Sequence, residues 1–184
     1  MKILAIDLGT KTGWAYGEVE YLTAVPELGT WDLATKKEIK EWGRNRMTRR
    51  CDPRIRRLHS ELLKFPEKVD CVVFEDVQFA SYTLQVQLWS SLRAVVWIVF
   101  GCYPGIVLEC VPVGTLKQFA TGCGGALKYH MANAAVQWCP SIFAFKKSTS
   151  DLTDLRTGAR LDDNAIDALH LWRWATRSLT RVPR

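Results

Sequence analysis

Residues Val69 to Phe74 form a near-continuous apolar run that stops abruptly at Glu75-Asp76. A strand apolar on both sides needs cover on both faces, so this run predicts a central strand held between layers of helix. Lys2 to Ile6 is a second such strand, and it too ends on a carboxylate, Asp7, followed by a Gly-Thr turn. Thr12 to Tyr16 resumes extended structure, giving a hairpin through Leu8-Gly9-Thr10-Lys11, and a third strand is expected around Leu28 to Asp32. Ile106 to Cys110 reads as another buried strand. Between and after these lie the helical patterns. Ile55, Leu58, Leu62 and Phe65 recur at three- and four-residue steps from Pro53 or Arg54 to a stop at Pro66. A long helix is expected from Thr83 to Phe100, ended by Gly101, and Pro112 opens one carrying Leu116, Lys117 and Phe119. Gly122 to Gly125 breaks the chain before a helix from Ala126 to about Trp138, and Asp162 to about Ser178 is the last, buried through Ile166, Leu169 and Trp174. Residues 140–161 lose all periodicity and are expected to form a flexible loop. The fold class is α/β: a mixed five-stranded sheet, three antiparallel N-terminal strands followed by parallel ones, with helices on both faces.

The length, 184 residues, predicts one domain over 1–184 with a core of its own, and 48% hydrophobic against 24% charged residues excludes wholesale disorder. Charge is unevenly spread. The whole chain carries +6, yet the segment 36–64 alone holds eleven Lys+Arg and four Asp+Glu, net +7. Its arginines cover a loop and the exposed side of the Pro53 helix. Arg49, Arg50, Arg54 and Arg57 are therefore candidate contacts to a polyanion backbone, against the alternative of an ordinary solvated face. The apolar run Ile3 to Ile6 is too short for a secretory signal, and Ala94 to Phe100 is too short to span a bilayer, so the expected place is the cytoplasm, without membrane. Six cysteines without CxxC spacing read as free thiols of a reducing compartment, and three scattered histidines exclude a zinc finger.

Four acids carry the chemistry. If the strands ending in Asp7 and Glu75 are neighbours, both carboxylates emerge at one sheet edge. Asp163 and Asp167, four apart on the last helix, share a face, with Asn164 partly on it. Like charges so gathered are costly without a counterion. Oxygen donors without imidazole or thiolate suit Mg²⁺, or Mn²⁺, rather than zinc. Two such ions would suit phosphodiester hydrolysis. Taken singly, Asp7 could be a turn residue and Asp163 a helix cap. Phe79 and Tyr82, just beyond Glu75, are candidates to touch a distorted base or to cap the core.

Ile3-Leu-Ala-Ile-Asp7-Leu-Gly-Thr-Lys-Thr-Gly-Trp-Ala15 resembles the first motif of the RuvC-like Holliday junction resolvases, within the ribonuclease H-like superfamily. Val72-Val-Phe-Glu75-Asp76-Val77 resembles the second, and Val113 to Lys128 is similar to the segment bearing two lysines near the DNA backbone. Asp162-Asp163-Asn-Ala-Ile-Asp167-Ala-Leu169 resembles the closing acidic motif. The resemblance implies a ribonuclease H-like fold, with Asp7, Glu75, Asp163 and Asp167 as metal ligands and Lys117 and Lys128 as catalytic and DNA-contacting groups. It further implies two Mg²⁺ ions per site, a homodimer and symmetric nicking of four-way and related branched DNA, as in a bacteriophage-type member. The interface expected for that dimer is the long helix with Leu88, Trp89, Leu92 and Trp97. One departure stands out: the family's closing pair is three residues apart, which here falls on Asn164, whereas Asp163 lies four before Asp167. The alternatives are a related nuclease acting on RNA or other nucleic acid, a non-catalytic nucleic-acid-binding module, and an actin-like ATPase, which the chain is too short to form.

Overall fold

The structure is a computed structural model that describes residues 1–19, 25–45, 51–76, 82–146 and 151–179. Strands β1 (Lys2–Asp7), β2 (Lys11–Glu18), β3 (Glu27–Asp32), β4 (Cys71–Asp76) and β5 (Val107–Pro112) form one sheet in the order β3-β2-β1-β4-β5. β1–β2 and β2–β3 are antiparallel, while β1–β4 and β4–β5 are parallel. This is the mixed sheet that the sequence predicts, with its two most apolar strands at the centre.

Period-2 alternation sends β1 and β4 side chains to two separate layers. Ile3, Ala5, Cys71 and Val73 pack against α4 (Val113–Thr121), α5 (Lys128–Trp138) and α6 (Asp163–Leu179). Leu4, Ile6, Val72 and Phe74 pack against α2 (Pro53–Leu62) and α3 (Thr83–Phe100). Asp52 caps α2 by accepting from the Arg54 amide at 2.9 Å, with Pro53 opening the helix. α4 ends at Gly122, whose φ of 78° is the left-handed conformation that favours glycine. By length and composition α3 is apolar enough to cross a membrane, a longer run than Ala94 to Phe100 alone. Its Leu92, Val95, Val96, Val99 and Phe100 are buried, while Leu84, Val86, Trp97 and Ile98 are exposed.

Two expectations need correction. Part of the basic segment expected as loop is a further helix, α1 (Lys36–Asn45). Thr35 and Glu38 start it with a reciprocal capping box: Glu38 Oε2 accepts from the Thr35 amide at 2.7 Å, and Thr35 Oγ1 accepts from the Glu38 amide at 3.2 Å. Residues 140–161 hold a small antiparallel sheet, β6 (Phe143–Lys146), β7 (Asp151–Asp154) and β8 (Arg160–Leu161). Burial of Phe143, Leu152 and Leu161 in the α4–α6 layer anchors it. Asp154 and Arg156, paired at 2.6 Å, brace the turn that follows β7.

Candidate active site

Parallel pairing of β1 with β4 aligns Ile6 with Phe74, so the next residues, Asp7 and Glu75, leave the sheet side by side. Asp7 also pairs across the hairpin with Gly13. A Cβ at Gly13 would lie 1.8 Å from the Asn164 carbonyl oxygen. The missing side chain thus lets the first turn of α6 sit directly on β2, which carries Asp167 to the two strand-end acids. Gly13→Ala is accordingly expected to displace that turn and destabilise the fold by about 3 kcal/mol, read by thermal or urea denaturation. Unchanged stability would show that α6 does not depend on this approach.

The gathered charge is visible in the ionisation of the acids. Burial, then repulsion from Glu75 and Asp167, holds the Asp7 carboxyl well above the usual range, and it shares a hydrogen bond with Glu75. Glu75 is raised by burial, with Lys117 pulling the other way. Asp167 is pushed up to about 7 by burial and by Glu75 and Asp163.

The acids lie between two hollows. Asp7, Glu75, Asp167 and Asn164 line a cleft of about 1180 Å³. Glu75, Asp163, Asp167, Lys117 and Lys128 line a smaller one of about 170 Å³. Lys128 donates to Asp163, which keeps the lysine charged, and Lys117 faces Glu75 and Asp167. Asp163 therefore stands on the lysine side, and Asn164 on the side of the large cleft. Asp162 is an anchor: its carboxylate accepts from Thr30 Oγ1 at 2.6 Å and from the Ala165 amide at 3.1 Å, capping α6.

The other sequence candidates fall elsewhere. Arg54 is bound to Asp52 at 2.6 Å and donates to Thr10 Oγ1 at 3.3 Å, tying α2 to the turn after β1. Arg57 pairs with Glu38 at 2.7 Å and donates to the Leu33 carbonyl, tying α2 to α1. Tyr82 is exposed at the start of α3. Arg49, Arg50 and Phe79 lie outside the described residues. His170 is wholly buried; its Nε2 bonds the Met131 carbonyl and its Nδ1 accepts from Arg173 at 2.7 Å. Sequence reasoning missed Trp42, Leu88 and Trp89 as walls of the large cleft. The helical spacing of Leu88 and Trp89 gave only a packing signal, Trp42 lay in a segment expected as loop, and the cleft that α1 and α3 share is what makes one surface of the three.

Among the described residues no group of three His, Cys, Asp or Glu side chains stands arranged to hold a metal ion as they are. Burial instead disfavours the charged forms of Asp7, Glu75 and Asp167 where they gather. An all-oxygen set whose charged forms are disfavoured by burial and by carboxylate repulsion suits a hard divalent cation.

The sheet order, its mixed directions and the helices on both faces define a ribonuclease H-like α/β fold, with the acids at the ends of its two central strands. No protein-family model and no curated protein sequence matches the chain. Two similar solved structures are those titled Thermus thermophilus RuvC and T. thermophilus RuvC in complex with Holliday junction substrate. The complex is 18% identical over 94% of this chain and 91% of that one, with a TM-score of 0.65. The second structure is 17% identical over 98% and 96%, with a TM-score of 0.63. At this identity the likeness establishes a shared fold.

Proposed function

We propose that the chain is a metal-dependent, structure-selective endonuclease that nicks four-way and related branched DNA. The observation that carries this reading is the convergence of Asp7, Glu75 and Asp167 on one cleft, each raised above its ordinary range chiefly by burial, with two lysines beside them. Asp7, Glu75 and Asp167 would hold the cation, Mg²⁺ or Mn²⁺, and two ions would suit a phosphodiester. Bound there, such ions supply Lewis-acid stabilisation of the attacking and leaving oxygens. Lys117 offsets the acids' charge and orients a phosphate oxygen by simple attraction. Lys128, held charged by Asp163, does the same from the other side.

The fold shared with a RuvC captured on a Holliday junction supports the choice of branched DNA. The +7 segment supports a polyanion partner, with Arg49 and Arg50 as backbone contacts and Arg54 and Arg57 entering as already paired charges. A homodimer places one acid cluster on each of two opposed strands, and the exposed Trp97 and Ile98 on α3 offer apolar surface for it. Six free cysteines fit a reducing cytoplasm.

Nicking of equimolar four-way, three-way, linear duplex and RNA–DNA substrates in Mg²⁺ or Mn²⁺ tests the reading. Paired symmetric nicks near the branch point are expected, at least about tenfold faster than on linear duplex, a difference of about 1.4 kcal/mol. Equal cutting of linear duplex would remove the structure selectivity, and preference for the RNA strand would replace DNA by RNA as substrate.

A further inference from the structure

Burial without a counter-charge marks one further place in the fold. Arg54, Arg57, Arg93 and Arg156 each donate to a carboxylate, at 2.6 to 3.0 Å. Among the described residues no carboxylate pairs with Arg173 of α6, although it is half-buried. Its guanidinium lies 4.7 Å from the centre of the Trp138 ring and 5.7 Å from that of Phe119, at the C-terminal ends of α5 and α4. A guanidinium carries five N–H donors in a fixed fork. One donates to His170 Nδ1 at 2.7 Å, which leaves four without an acceptor among the described residues. Burial and Arg173 hold His170 neutral, so it supplies an acceptor and no negative charge. Arg177, exposed and one turn further along α6, adds a second positive charge instead of relieving the first. Burial, then repulsion from Arg177, lowers Arg173 to about 10. The C-terminal end of the helix dipole accounts for Arg177 in the last turn, and the aromatic rings offset part of the cost at Arg173. Neither supplies the missing counter-charge.

We propose that Arg173 and Arg177 form a phosphate-binding site on the α4–α6 layer, with Trp138 holding the Arg173 fork and Arg177 supplying the second charge. A carboxylate brings one negative charge to two cations. A phosphate monoester brings about −1.5 to −2 and three acceptor oxygens, and successive diesters of a nucleic-acid backbone bring one each. The planar fork of arginine meets two phosphate oxygens at once. The sequence favours the backbone as the source, since residues 173–184 hold four arginines, at 173, 177, 181 and 184, and no Asp or Glu. Arg181 and Arg184 lie outside the described residues. Six residues of helix, about 9 Å, separate Arg173 from Asp167, so the site is distinct from the carboxylate cluster and does not rest on the nuclease reading.

Inorganic phosphate titrated into the full chain at constant ionic strength, with the arginine Nε–Hε signals followed by two-dimensional NMR, tests the site. The Arg173 signal, assigned as the one lost in Arg173→Lys, is expected to move saturably, while acetate at the same concentrations leaves it in place. Arg177→Ala, at an exposed position where folding is not at stake, should weaken the phosphate response about tenfold, the usual scale for a hydrogen bond to a charged group. A duplex oligonucleotide without divalent cation separates the sources. Movement of the same signal by the duplex, with a salt dependence that flattens in Arg177→Ala, identifies backbone phosphates. A response to inorganic phosphate alone identifies a soluble phosphate monoester. An Arg173 signal indifferent to both would overturn the site and leave the guanidinium as a packing group on Trp138. An equal response to acetate, or an undiminished phosphate response in Arg177→Ala, would also overturn it. None of these results bears on Asp7, Glu75 and Asp167, so failure here leaves the nuclease reading standing.

Discussion

Asp7→Asn, Glu75→Gln and Asp167→Asn are each expected to slow junction cleavage at least about a thousandfold while junction binding is retained or tightened. Each substitution is close to isosteric and removes one charge from a cluster whose charged forms burial already disfavours. A ligand lost from such a set costs stabilisation that exists only in the transition state, so the rate falls and affinity does not. Binding gains, if anything, from relief of repulsion between carboxylate and phosphate. Single-turnover cleavage beside gel-shift titration reads both quantities. Wild-type cleavage by any of the three, in protein cleared of contaminating nuclease, would remove that residue from the site. Asp163→Asn is the informative contrast. Its carboxylate is engaged by Lys128, so its loss should track that of Lys128→Ala rather than equal the losses at the three cleft acids.

These residues were legible because strand ends are local events. An apolar run that stops on Asp7 or Glu75 states its own edge, and parallel pairing of β1 with β4 then brings the two acids together. α1 was also written locally, in Thr35 and Glu38, but the surrounding basic run masked the capping pair. The small sheet was less readable. β6 and β7 have four residues and β8 two, too few for alternation to emerge, and their burial depends on α4–α6 lying beneath them. The roles of Arg54 and Arg57 were beyond local reading. Arg57 finds Glu38 nineteen residues away, and Arg54 finds Thr10 forty-four away. The same applies to the side of α6 that faces each hollow: Asp163 and Asn164 are adjacent in sequence, and the contact of α6 with Gly13 together with the Asp162–Thr30 anchor fixes their directions.

Without divalent cation, Asp167→Asn is expected to make the protein more stable at pH 8 than the wild type, by a few kcal/mol. The carboxyl of Asp167 sits at about 7 in the folded chain against an ordinary value of 3.8. Its folded form therefore binds a proton more tightly than its unfolded form. The associated stability is complete below pH 3.8 and declines as pH rises towards 7, at up to about 1.4 kcal/mol per pH unit. Above pH 7 the wild type carries the whole penalty of a buried charge among like charges, whereas the amide carries none. His170 works in the opposite sense. Burial and the neighbouring Arg173 lower it from 6.5 to about 3, so it takes up a proton on unfolding, and stability falls as pH drops through that window. In the wild type the two slopes oppose one another between pH 6.5 and 3.8. In Asp167→Asn one of the acid contributions that oppose the histidine is gone, leaving those of Asp7 and Glu75, so the variant should lose stability in acid more steeply than the wild type. Urea denaturation from pH 4 to pH 8 gives both curves. Adding Mg²⁺ or Mn²⁺ at pH 8 should restore the wild type by mass action and leave the variant where it was. Parallel curves for the two proteins, or equal gains from the cation, would show that Asp167 is neither charged at a cost in the free protein nor a ligand in the loaded one.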